Sequence, residues 1–76
     1  MRRSKKVRKL VKAAKMGKSR AMYLLGLRYE TGTGVPQDLG EAAVWISAAA
    51  EEGYAPALLW MKDYLFDDGA NVQAEA

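Results

Sequence analysis

A five-residue run that returns at a fixed distance constrains this chain more than any local propensity. Ala13-Ala14-Lys15-Met16-Gly17 is answered 36 residues later by Ala49-Ala50-Glu51-Glu52-Gly53, and Ala21 by Ala57 at the same offset. A period in the range of roughly 20–50 residues marks stacked supersecondary units, each unable to bury its apolar face alone. The residues between the copies decide what kind of unit this is.

Val7, Leu10, Val11 and Ala14 follow the i, i+3, i+4, i+7 spacing of one helical stripe, with Lys5, Arg8, Lys9, Lys12 and Lys15 around the remainder. This predicts a first helix over about 4–16, ending at Gly17. Ser19 is expected to cap a second helix, 20–31, whose residues are apolar nearly all the way round, as suits a helix packed between neighbours. Gly32 stops it, and 33–37 reads as a loop because glycine permits unusual backbone angles and Pro36 pushes Val35 toward extended geometry. Asp38 and Glu41 stand as a variant capping box for a third helix, 39–52, with Glu41 expected to reach back to the opening amide. Gly53 can end that helix in a left-handed conformation, and Pro56 suits the first turn of a fourth, 56–67. Residues 69–76 read as a short tail, and the chain as one domain over 1–76.

These residues resemble the Sel-one-like repeats, relatives of the tetratricopeptide repeats. Ala21, Leu25, Gly26, Tyr29, Gly32, Gly34, Val35, Asp38, Ala42, Trp45, Ala49, Ala50, Gly53 and Ala57 stand where that family has its signature residues. The match is dense over one full repeat and weaker at the flanks, where Lys62 replaces the glycine and Leu65 the tyrosine that would recur. The resemblance implies an all-α fold, a right-handed α–α superhelix of four antiparallel helices, with one complete unit between degenerate half-repeats. The residue types agree with it. Gly26 and the alanine pairs let two helices approach closely, whereas Tyr29 and Trp45 fill the wider gaps between hairpins. Truncating Trp45 as a buried aromatic would then cost about 3–5 kcal/mol.

What the family does is hold partner proteins along the concave surface lined by the first helix of each hairpin, so a protein or peptide is the expected partner. Ala21, Leu25 and Tyr29 point one way on the second helix, which leaves Tyr23, Leu27 and Glu30 on roughly the opposite face. The 36-residue offset adds Leu59, Asp63 and Phe66. These six are the candidate groove, apolar and aromatic anchors mixed with acids suited to a basic peptide. The plainer alternative assigns Tyr23, Leu27, Leu59 and Phe66 to the core.

Charge supplies a second candidate. Residues 1–20 hold ten of the twelve basic side chains and no acid, whereas 21–76 carry Arg28 and Lys62 against nine acids. A cationic amphipathic helix can lie on an anionic membrane or follow a phosphate backbone, through Arg2, Arg3, Lys5, Lys6, Arg8, Lys9 and Lys12. Against that stand the need of the apolar stripe for a neighbouring hairpin and the lack of interleaved aromatics for base stacking. A solvated, solubilising face is the competing reading. The same polarity permits a third, head-to-tail self-association that extends the helical stack.

Catalysis is not expected. Neither cysteine nor histidine occurs, which removes thiolate and imidazole metal sites, the common general base and the strongest nucleophile. Thr31-Gly32-Thr33-Gly34 lacks the lysine of a phosphate cradle and reads as a turn, and Asp63, Asp67 and Asp68 lack the ligand order of a calcium loop. No cofactor is expected. The basic N-terminus has no apolar run fit for a secretory signal, so the expected compartment is the cytoplasm.

Overall fold

The computed structural model describes residues 3–63, and these form four helices: α1 (Lys5–Lys15), α2 (Ser19–Thr31), α3 (Leu39–Glu51) and α4 (Ala55–Lys62). No strand occurs among the described residues. The first three helices match their expected spans closely. The expected extension of the fourth toward 67, and the tail, lie outside the described residues.

The 36-residue period is written into the hydrogen bonds. The Gly17 amide donates to the Ala14 carbonyl and the Lys18 amide to that of Ala13 (2.9 and 3.2 Å); the Gly53 and Tyr54 amides donate to Ala50 and Ala49 (2.9 and 3.1 Å). Both glycines are left-handed, with φ 88° and 85°, so each absorbs a reversal that a side chain would resist. These turns correct one expectation. The chain enters α2 at Lys18, not Ser19, just as it enters α4 at Tyr54, and neither cap uses a side chain. With the entry set by the turn before it, Ser19 becomes the first helical residue.

A second correction concerns α3. Asp38 caps it as expected, its Oδ1 accepting from the Glu41 amide at 3.0 Å. The Asp38 amide, however, donates to the Tyr29 carbonyl at 2.9 Å. That ties the start of α3 to the end of α2 and leaves Glu41 no donor to reach back to.

Two buried clusters hold the helices. Val7, Ala14, Ala21, Leu25 and Val35 form the first, between α1 and α2. Ile46, Ala49 and Ala57 form the second, between α3 and α4. Each fully buried Val, Leu or Ile contributes on the order of 1.5–3 kcal/mol. The segment 33–37 is more than a connector: Val35 is buried in the first cluster, and the Gly34 carbonyl accepts from the Ser4 amide at 2.9 Å. A Cβ on Gly34 (φ +81°) would lie 2.6 Å from Ser4 Oγ and 2.9 Å from Val7 Cγ2. The loop therefore lies directly on the start of α1, whose Ser4 hydroxyl caps the Val7 amide (3.1 Å). Gly26 sets the α2–α3 approach, since a Cβ there would collide with the Ile46 side chain and reach 3.0 Å from the Ala42 carbonyl oxygen.

Tyr29 and Trp45 pack against the first cluster as gap-fillers between hairpins, but both are half-buried. Truncating Trp45 is accordingly expected to cost less than a wholly enclosed indole would.

Candidate partner-binding face

Because matching turns at Gly17 and Gly53 lead into α2 and α4, residues 36 apart take equivalent places in the two helices. Tyr23 and Leu27 of α2 are half-buried and pack on the second cluster beside Tyr54, Trp60 and Met61. The Tyr23 and Tyr54 rings lie 5.5 Å apart at 51°, a tilted arrangement favoured by the ring quadrupoles. Glu30 closes the seam farther along, its Oε2 accepting from Trp60 Nε1 at 3.3 Å, while its carbonyl accepts from Gln37 Nε2 at 2.8 Å.

The structure thus gathers Tyr23, Leu27 and Glu30 where α2 meets α4. Leu59 on α4 and Asp63 at its C-cap are exposed and outside that cluster, and Phe66 lies outside the described residues. Sequence reasoning passed over Leu24 and Trp60. Leu24 is half-buried yet belongs to neither core cluster, between exposed Arg20 and Thr31 on the same side of α2. The signal for it was the run Arg20, Leu24, Leu27, Thr31, spaced i, i+4, i+7, i+11. Trp60 was legible as the 36-residue counterpart of Leu24.

The basic candidates fall on another surface. Lys5, Lys6, Arg8, Lys9 and Lys12 are all exposed on α1, and Arg2 lies outside the described residues. Arg3 stands apart from them, lining an open depression with Tyr29, Val35, Pro36, Gln37, Asp38 and Glu41. The same depression is lined by two carboxylates, Asp38 and Glu41.

Among the described residues no group of three or more His, Cys, Asp or Glu could hold a metal ion. No helix among them is long and apolar enough to cross a membrane. No curated protein and no solved structure gave a match to the chain. Residues 19–54 match the family model described as the Sel1 repeat, the span from the entry of α2 to the cap of α4. Repeats of this kind are generally non-catalytic protein-interaction modules. The helix pair, the period-matched turns and the close approach at Gly26 are the architecture that such a repeat requires, and residues 19–54 are a Sel1-like repeat.

Proposed function

We propose that this chain is a non-catalytic adaptor that holds a protein or peptide along the face shared by α2 and α4. The observation that carries the reading is the seam itself. Tyr23, Leu27, Tyr54 and Trp60 are large side chains fixed by packing yet only half-buried. Anchors that keep their geometry before a partner arrives lose little entropy on binding. Leu24 and Leu59 widen the apolar strip on either side, and Glu30 and Asp63 supply acids for a basic residue in the partner. Aromatic anchors ringed by polar groups are the usual composition of an interface hot spot.

The test is capture by affinity and cross-linking from the source cell, using the parent chain and a Leu24→Asp, Leu59→Asp double variant. Leu59 is exposed and Leu24 lies outside both clusters, so helicity measured by circular dichroism should be retained. The captured protein should be lost. Retention of the same protein by the double variant at equal yield would remove the α2–α4 face from consideration.

A further inference from the structure

The cations of α1 are left over by the adaptor reading, and their arrangement is specific. Lys5, Lys6, Arg8, Lys9, Lys12 and Lys15 are all exposed, and among the described residues none pairs with a carboxylate. At 3.6 residues per turn they cover about half the circumference of the helix, along roughly 15 Å of its axis. The other half is committed to the fold: Val7 and Ala14 are buried, with Leu10 and Val11 packed against the same cluster.

A solubilising cap does not account for this pattern. Solubility needs charge of either sign, and alternating Lys and Glu would supply it together with favourable i, i+4 pairs. Here Lys5 faces Arg8 and Lys9, and Lys12 faces Arg8, Lys9 and Lys15, all of them like-charge neighbours. The first turn contains no acid, so Lys5 and Lys6 also sit at the positive end of the helix dipole. The like-charge neighbours and the cations of the first turn oppose the helix, whereas Lys12 and Lys15 suit its last turn; a dense polyanion would offset the unfavourable terms.

Shape then selects the polyanion. Against a flat anionic bilayer only the middle row, Lys5, Lys9 and Lys12, can make contact, and the apolar stripe that an interfacial helix would insert is buried. Cations spread over half a cylinder instead fit a groove with phosphates on both sides. The major groove of B-form DNA, about 12 Å wide, admits an α-helix of about 10–12 Å diameter, whereas the deep, narrow major groove of A-form RNA does not. We propose that the exposed half of α1 docks on duplex DNA, lying along the major groove with its cations on the phosphates of both walls. With its cations on the phosphates and no Asn or Gln on α1 to pair with adenine, the docking is led by backbone contacts.

The experiment uses the full chain and fluorescence anisotropy with three probes: a short blunt DNA duplex, an RNA duplex of the same sequence, and vesicles of phosphatidylserine and phosphatidylcholine. Titrations run from about 50 to about 200 mM salt. Six phosphate contacts predict a slope of log K against log salt near about −5. Replacing Lys5, Arg8, Lys9 and Lys12 together by Gln, which preserves helix propensity, should reduce the slope to about −2 and weaken binding at least tenfold at low salt. Lys62→Gln should change neither quantity. Absence of DNA binding at low salt, an unaltered slope in the quadruple variant, or RNA or vesicles bound as tightly as DNA would each overturn the proposal.

Discussion

α2 and α4 occupy the same place in successive repeats, yet they live under different constraints. Ala21 and Ala57 are both buried, 7% and 0% exposed, because each meets the helix that precedes it. The positions that face forward diverge. Leu25 is fully buried whereas its counterpart Met61 is half-buried; Tyr23 is half-buried whereas Leu59 is 61% exposed. Gly26 admits the Ile46 side chain and the Ala42 backbone, and in its place α4 has an exposed lysine, Lys62. Burial in a stacked fold is conferred by the next unit, so residue type at a repeat position relaxes where no such unit is in contact.

The sharpest way to break this contrast is to exchange the divergent residues. Gly26→Lys should abolish cooperative unfolding, because nothing at the α2–α3 contact can yield to a side chain that already fails to fit at Cβ. Lys62→Ala, at the matching place, should stay within about 0.5 kcal/mol of the parent. Urea denaturation followed by far-ultraviolet circular dichroism measures both. If Gly26→Lys unfolded with the parent midpoint, the account of the repeat's closest contact would be wrong.

Next in size is the pair behind it. Leu25→Ala should cost about 3–5 kcal/mol, the range for emptying a fully enclosed leucine site. Met61→Ala should cost about 1 kcal/mol, because part of its surface is already wet. Trp45→Ala falls between them at about 2–3 kcal/mol, less than complete burial would give.

The fold was largely legible in the sequence because its determinants are local or periodic. The stripe of Val7, Leu10, Val11 and Ala14, the left-handed Gly53 and the cap at Asp38 each depend on neighbours within a turn or so. What was not legible depended on which distant backbone group arrives first. The capping box at Asp38 was half right, since its amide is taken by the Tyr29 carbonyl, nine residues earlier, and no local pattern encodes that. Ser19 has the chemistry of a cap but not the position, because the turn at Gly17 sets the helix entry one residue sooner. The candidate groove suffered from the same blindness. Helix geometry separated Tyr23, Leu27 and Glu30 from the α1 side, but the arrival of α4 beside them, with Trp60 on Glu30, is a tertiary fact.

The loop 33–37 offers a smaller perturbation that separates the two ends of the molecule. Gly34→Ala places a Cβ against Ser4 and Val7 at a backbone angle that L-residues resist, and should cost about 1–2 kcal/mol. Its signature is spatial. Amide hydrogen exchange should accelerate across α1 while α3 keeps its protection, since the loop packs on the start of α1. Uniform acceleration across all four helices would show that α1 and the loop are not a separable layer.

The smallest effect concerns association, where the expected result is no change at all. Extending the stack head to tail in the repeat register would place α4 of one copy against α1 of the next, as α2 lies against α3. By the 36-residue offset, the partners of Gly26, namely Ala42 and Ile46, correspond to Lys6 and Leu10 on α1, and Trp45 corresponds to Lys9. Lys62 would then enter the tightest point of the contact against Lys6. The opposite net charges of the two ends favour an encounter, but that pairing excludes the register that would bury apolar surface. The chain is therefore expected to sediment as a monomer at both low and high salt. Lys62→Gly with Lys6→Ala, which restores the small residues of the internal contact, is the change expected to permit dimers. A parent chain that already dimerises through α1 and α4 would show that the lysines do not guard those ends.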